Sequence, residues 1–322
     1  MSRITVIGAT GHIGTYLVPR LVIDGHEVIA VSRGAASPYR RDPAWRFARQ
    51  VTLDRSAAER DGAFGASIAS LDSDIVIDLI CFDPPSSAHL ADALRGRVEQ
   101  LIHIGTIWTH GPASVVPTPE DVVKFPFGDY GTKKAEIERD LLRRHRMEGF
   151  PVTIIHPGHI VGEGWVPLNP HGNFRPQTYD AIAAGETLTL ANFGLETVHH
   201  VHADDVAQII VRALANPAAI GQSFHAVSDA ALTMRGFAEG MYRWFGHEPK
   251  LTFLPFDEWA RGQEAADAET TWNHIARSPN CSILKGRTLL GYSPRYASLE
   301  AVQESVRHLI ATGQVRASAM TA

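Results

Sequence analysis

Tyr130 and Lys134, in Tyr130-Gly131-Thr132-Lys133-Lys134, stand four positions apart, a spacing that stacks their side chains on one face of a helix. A phenol titrates at about 10 and is a sluggish base at neutral pH, but an ammonium one turn away favours the phenolate. Such a tyrosine can take a proton from a carbinol while hydride leaves the carbon, or deliver one in reverse. The chain holds only five lysines and seven tyrosines, so the pairing is informative.

Hydride needs a carrier, and the first residues offer a cradle for one. Gly8-Ala9-Thr10-Gly11-His12-Ile13-Gly14 follows the strand-like Ile4 to Ile7 and opens a helical pattern. The glycines of such a segment permit a tight turn, close backbone approach to a pyrophosphate and close packing of helix on strand. The helix N-terminus adds N–H groups and positive partial charge. Gly8, Thr10, Gly11, His12, Ile13 and Gly14 are therefore candidate cofactor contacts. A carboxylate at the end of the second strand would bind the 2′-hydroxyl of NAD; this chain has Ser32-Arg33-Gly34, with Arg40 and Arg41 soon after. A guanidinium suits a 2′-phosphate, so the expected cofactor is NAD(P) with a lean to NADP. A solvated surface arginine is the rival reading, in a chain where five lysines leave 25 of 30 basic residues as arginine.

These groups need elements to hold them. Short β-branched runs alternate with helical patterns: Ile4 to Ile7, a helix over His12 to Asp24, Glu27 to Val31, Gln50 to Leu53, Asp74 to Ile80, a helix near Ser87 to Arg97, and Leu101 to Ile104. A further helix spans Gly131 to Met147 and leads into Val152 to His156. That order predicts an α/β fold, a Rossmann-type doubly wound parallel sheet covered on both faces. Residues 159–178 lack periodicity and read as a loop-rich cap. Thr197 to His202 reads as extended, Asp204 to Asn216 as a helix and Gln222 to Val227 as a strand. Thr233 and Ser298 sit where N-caps belong, ahead of Met234 to Phe245 and Leu299 to Ala311. The expected division is a nucleotide-binding domain over 1–158, with 197–229 returning to it, and a smaller, interleaved C-terminal substrate domain over 159–196 and 230–322.

With those pieces assembled, the chain resembles the short-chain dehydrogenase/reductases, within them the extended branch of NAD(P)-dependent epimerases and dehydratases. The resemblance runs through Gly8, Gly11 and Gly14, Asp54 in Leu53-Asp54-Arg55, Tyr130 with Lys134, Ile155-His156-Pro157-Gly158, Ala203-Asp204-Asp205-Val206-Ala207 and Leu290-Gly291-Tyr292-Ser293-Pro294. It implies a third catalytic group, a Ser or Thr five residues before a glycine; counting back from Gly111 gives Thr106, with Thr109 as rival. It also implies Asp54 at the adenine, and Leu79, His156 and Pro157 as further cofactor contacts beside Tyr130 and Lys134. Helices around Ala91 and over Gly131 to Met147 resemble the family's dimer-forming pair, which implies a homodimer. Many members that bind nucleotide sugars carry asparagine where this chain has His159 and a diphosphate-gripping arginine where it has Val198. A buried diphosphate without that arginine loses a bidentate, charge-assisted partner, so a smaller, polar, sugar-like substrate is expected.

Sixteen histidines are the compositional oddity. His199-His200-Val201-His202 invites a metal reading, but alternate strand residues face opposite ways, so the three do not converge and no metal is expected. His110, His156 and His159 fall at strand ends, where α/β folds bind ligands. Those and His199, with Trp108, Trp165 and Asn173, are candidate substrate contacts; structural histidines and cap core are the alternatives. The formal charge of −5 offers no basic surplus for nucleic acid. The two cysteines, Cys81 and Cys281, form no CxxC pair, and no apolar run reaches the roughly 18 residues of a membrane span. A cytoplasmic location, a small-molecule substrate and neither nucleic-acid nor membrane partner are the expectations. The predicted activity moves hydride at a secondary hydroxyl or ketone, as an epimerase or dehydratase; a simple NADP-dependent ketone reductase is one alternative. A non-catalytic cofactor sensor or RNA-binding member of the same fold is the other.

Overall fold

The computed structural model describes residues 1–317. In chain order, β1 (Arg3–Ile7), α1 (His12–Ile23), β2 (Glu27–Ser32), β3 (Arg49–Thr52), α2 (Arg55–Arg60), α3 (Phe64–Ala69), β4 (Ile75–Asp78), α4 (Pro84–Leu94), β5 (Gln100–Ile104), α5 (Asp129–Glu148) and β6 (Val152–Pro157) build the first domain. The cap begins with β7 (His159–Val161), α6 (Gln177–Ala183), β8 (Leu188–Ala191) and β9 (Thr197–Val198). Then come β10 (His200–His202), α7 (Ala203–Ala213), β11 (Gln222–Ala226), β12 (Leu232–Thr233), α8 (Met234–Trp244) and β13 (Leu251–Leu254). Helices α9 (Phe256–Ala260), α10 (Ala265–Ile275), α11 (Leu284–Leu290) and α12 (Ser298–Ala311) finish the chain.

The main sheet has the order β11-β6-β5-β4-β1-β2-β3, every pair parallel. Alternation along the strands explains its two covers. Ile4, Val6, Val28 and Ala30 pack with Leu17 of α1 and Val206 and Ile210 of α7. Ile7, Ile29 and Val31 face the other way, onto Phe64 of α3, Leu90 of α4 and Ile137 and Leu141 of α5. The reversal of strand order between β1 and β4 opens a crevice at the carboxyl ends.

Several expected boundaries move for local reasons. Pro84 starts α4 three residues before Ser87, because proline's fixed φ and missing N–H suit a first helical turn. Ser298 is not an N-cap: Ala297 is, its N–H donating to Glu300 Oε2 at 3.1 Å, while Ser298 Oγ lies 3.0 Å from His200 Nδ1. Thr233 does cap α8, accepting from the Gly236 N–H at 2.9 Å. Thr197 to His202 is not one strand. It splits into β9, antiparallel to β12, and β10, parallel to β7, so residues 159–161 carry a strand where loop was expected.

The cap has its own core, Tyr179, Ile182, Leu188, Leu190, Phe237, Met241, Tyr242, Val302, Val306 and Leu309 among them, with β8 and β13 paired in parallel at its edge. One stretch expected in the cap belongs elsewhere. Cys281, Ile283, Leu290 and Tyr292 join the core of the sheet domain, and the Tyr292 hydroxyl donates to Val227 O at 2.9 Å. No helix among the described residues is long and apolar enough to cross a membrane.

Candidate active site

The glycine turn closes as its spacing requires. Gly8 takes a φ of +83°, and its N–H reaches Val31 O at 2.9 Å. A Cβ on Gly14 would stand 2.1 Å from Ala9 O, so only glycine lets α1 lie this close to β1. Two adjoining cavities open from this turn. One, about 450 Å³, is lined by Gly8, Thr10, Gly11, Ser32, Arg33, Leu53, Asp54 and Phe64 among others. The second, about 340 Å³, is lined by His12, Ile13, Leu79, Thr106, Tyr130, Lys134, Pro157 and Trp165 as well as the turn itself. An extended dinucleotide fits such a double cradle: adenosine end toward Arg33, nicotinamide end toward Tyr130. Asp54 spends one carboxylate oxygen capping α2 at Ala57 N, 3.0 Å away.

Helix α5 carries the candidate acid–base pair. Lys134 is 1% exposed, and its Nζ donates to Cys81 O at 2.7 Å and Ile104 O at 2.6 Å. Desolvation lowers its pKa to about 8. Phe82 lies under the ammonium, 4.8 Å from Nζ to the ring centroid. The Tyr130 ring is 40% exposed; desolvation of its hydroxyl end raises the phenol's pKa, and a hydrogen bond with Thr106 opposes that rise. Thr106 Oγ1 also accepts the Trp108 N–H at 3.3 Å, closing the short turn after β5. Thr106, Tyr130 and Lys134 therefore meet on one cavity wall, whereas Thr109 is 0% exposed and its hydroxyl has no partner.

The other candidates divide. Trp165 stacks on His12 at 4.9 Å, with Tyr39 5.5 Å from the same imidazole, so the cap and the loop after β2 meet across the turn. Trp108 is 5.8 Å from Tyr130 and 5.0 Å from His274 between centroids. His159 faces Phe174 and His274 at 5.5 and 5.6 Å, and its Nε2 accepts the Leu168 N–H at 3.2 Å. Of the expected substrate contacts only Trp165 lines a cavity; Trp108, His159, His156, His110, Asn173 and His199 line neither. His110 Nε2 bonds His225 Nε2 at 2.7 Å. Asn173 joins Asn169 and Thr271 inside the cap. His199 holds Ser228 O and the Cys281 N–H. Burial keeps these imidazoles neutral, lowering His110 to about 3 and His199 to about 4. The run of histidines is dispersed: His200 goes to Ser298 and His202 to Glu304, 3.1 Å away. Two buried trios, His110 with His225 and Cys281, and Asp78 with Cys81 and His103, have donor atoms within 4.8 Å of one another. Asp78 is committed to Arg55 through both oxygens, and His225 Nδ1 to Ser282 O.

Sequence reasoning missed Tyr39, Ile80, Phe82 and Ile160 as lining groups, and Arg277, sandwiched between Trp108 and Phe127 at 3.8 and 3.7 Å. Its NH1 and NH2 donate to Asn273 O and Phe127 O. A run of loop aromatics was the available signal, but nothing local said which would reach the crevice.

A parallel sheet in this order, with a glycine turn at its first crossover and a tyrosine–lysine pair at the crevice, defines a nucleotide-dependent oxidoreductase fold. The chain belongs to the NAD dependent epimerase/dehydratase family, whose pattern it matches over residues 4–226, and it is an NAD(P)-dependent enzyme of that family. Among curated relatives it is 26% identical to the 2′-dehydrokanamycin reductase of Streptomyces kanamyceticus, over 83% of this chain and 73% of the relative. It is 23% identical to the chloroplast stem-loop binding protein of 41 kDa b of Arabidopsis thaliana, over 94% and 78%. The fold superposes on the UDP-glucose 4-epimerase of Thermotoga maritima, solved with UDP-glucose, with a TM-score of 0.72 at 19% identity, covering 96% of this chain and 99% of that one.

Proposed function

We propose that the enzyme moves hydride at a secondary hydroxyl or ketone of a small, polar, sugar-like molecule, with Tyr130 as acid/base, Lys134 tuning it and Thr106 orienting the reacting oxygen. The observation that carries this reading is the meeting of those three groups on one wall of the cavity that opens from the glycine turn. NAD(P), when bound, supplies the site that accepts or returns hydride. Tyr130 exchanges the proton at the same oxygen, and the Thr106 hydroxyl holds that oxygen within reach. Lys134, fixed by two carbonyls, keeps positive charge within 6.0 Å of the Tyr130 ring centroid and favours the phenolate.

NADP is the preferred form in this reading, because Arg33 lines the adenosine end of the cradle and a guanidinium matches a 2′-phosphate. Val198 is 3% exposed and packs in the cap core, and Arg277 is spent on two backbone carbonyls, so neither position offers a free guanidinium to a diphosphate. That favours a simple sugar, cyclitol or ketone over a nucleoside-diphosphate sugar. Release of reduced or oxidised cofactor, as in a ketone reductase, is the second reading, and similarity to a 2′-dehydrokanamycin reductase favours it. RNA binding, suggested by similarity to a stem-loop binding protein, is the third; the intact Tyr130 and Lys134 argue against a purely non-catalytic role. Both cysteines are free thiols, as in a cytoplasmic protein, and a homodimer through α4 and α5 is part of the proposal.

Titration with NADPH and NADH by fluorescence tests the cofactor, and binding of neither overturns the reading. Turnover is sought with ketoses, cyclitols, free sugars and UDP-glucose, following cofactor absorbance and product isomerisation together. Retention on RNA at low salt with no turnover of any of these would favour the third reading instead.

A further inference from the structure

His156, next to last in β6, stands beside the wall that carries Thr106 without entering the cavity. It is 0% exposed, and its Nδ1 accepts the backbone N–H of Thr106 at 3.0 Å. An acceptor at Nδ1 obliges the ring to carry its proton on Nε2, which lies 3.0 Å from Glu138 Oε1. Glu138 stands one helical turn beyond Lys134 on α5, and both its oxygens receive Lys124 Nζ. Burial would raise the carboxyl's pKa, but His156 and Lys124 hold it well below the carboxylate range. The set is balanced: Lys124 cationic, Glu138 anionic, His156 neutral.

The surroundings are cut to this ring. A Cβ on Gly105, the residue before Thr106, would stand 2.4 Å from His156 Nδ1. Only a glycine leaves room for the imidazole to reach the next peptide N–H. The other titratable groups facing the ring are His110 and His225, both 6.3 Å away between centroids, with His103 on β5 and Lys134 on α5. Burial, then Lys124 and Lys134, oppose a proton on His156, and a proton there would in turn oppose one on His103, His110 or His225.

We propose that His156, locked by Glu138 with its proton on Nε2, is a positioning residue for proton transfer: it fixes the Thr106 peptide and so sets where the Thr106 hydroxyl meets Tyr130. The inference rests on Tyr130 and Thr106 acting as read above. Misplacing a reacting group by about 1 Å can cost 10²-fold in rate, and a one-residue link between peptide N–H and hydroxyl transmits such an error directly. Protonating His156 at Nδ1 would set donor against donor at Thr106 and release the contact.

The experiment compares His156→Leu, which has no acceptor, with His156→Asn, whose side-chain oxygen can still take the Thr106 N–H. Amide hydrogen exchange in the segment containing Thr106 is read first, with NADPH binding as the check of folding. Exchange should rise at least tenfold in the Leu variant and return toward wild type in the Asn variant, with NADPH affinity unchanged. On a substrate found among the ketoses and cyclitols, kcat should fall at least tenfold in the Leu variant at constant KM. The Glu138→Gln variant, which removes a charge that favours protonated His156, should move the acid limb of kcat to lower pH. Equal exchange and equal rate in folded Leu variant and wild type overturn the proposal, as does a loss confined to KM. If no substrate is turned over by wild type, the hydride-transfer reading fails, while the exchange result still decides whether His156 positions Thr106.

Discussion

The sheet-side wall of the crevice and the cap cluster that meets it through Trp108 are built by different means. On the sheet side, Thr106, Tyr130 and Lys134 come from 29 consecutive positions, and each is set by a regular element: a strand end or one helix face. In the cap, His159 and Phe174 come from one segment and His274 from another, 100 positions beyond Phe174, and the three are held by contacts between rings and by bonds to backbone, such as His274 Nδ1 to Thr270 O at 2.8 Å. The lesson is a division of labour. A wall made of one strand end and one helix face can hold a proton-transfer distance, whereas a cluster made of separately docked segments can change its residues without disturbing that distance.

If this contrast is right, sheet-side substitutions should cost rate and spare the fold, and cap-side ones should do the opposite. The largest effect expected is for Tyr130→Phe: turnover lower by about 10²- to 10⁴-fold with NADPH binding and urea midpoint unchanged. Retained turnover would end the sheet-side assignment. Next, at the join of cap and sheet domain, His199→Ala removes a buried ring with both nitrogens bonded, and should lower unfolding free energy by about 2 kcal/mol with little change in kcat of the folded protein. A kcat loss without a stability loss would place His199 on the reaction instead.

A smaller effect is expected at the adenosine end. Arg33→Ser should weaken NADPH by about tenfold, the worth of one charge-assisted bond, and leave NADH unchanged, as read by fluorescence titration. Equal losses for both would remove the 2′-phosphate argument. The last is a pH slope. Lys134 is lowered from 10.5 to about 8 in the folded state, so between those values the unfolded chain binds the proton and the folded one does not. Its contribution to stability must rise with pH across that window, by at most ~1.4 kcal/mol per unit, and its cost is fully present below pH 8. Urea unfolding at pH 8 and 10 should show that increment in wild type and lose it in Lys134→Met.

How much of this could be read from residues alone follows the same division. The glycine turn and the tyrosine–lysine face were legible because a period of 3.6 and the spacing of glycines fix them locally, whereas Thr106 came only through the family resemblance. The parallel sheet followed from the alternation of strands and helices, since parallel strands need crossovers, and its strand order came from the structure. Ser298 was misread because a serine before a helical pattern is the usual sign of a cap, and only the fold shows its hydroxyl taken by His200. Arg277 and His274 carried no signal, because their partners Trp108, Phe127 and His159 lie more than 100 positions away. The returning segment 281–292 was assigned to the cap by its place in the chain, yet its apolar face completes the sheet domain.

Lys134 also spans a gap. Its two carbonyl partners belong to the end of β5 and to the loop leaving β4, so the ammonium acts as a gauge laid across two neighbouring strand ends. Anything that spreads those ends, a cavity in the core below or a poorly seated α4, lengthens a hydrogen bond at the reacting group before it exposes apolar surface. Turnover would then register small losses of sheet integrity that thermal melting does not, and the rate becomes the more sensitive measure of how well this protein is folded.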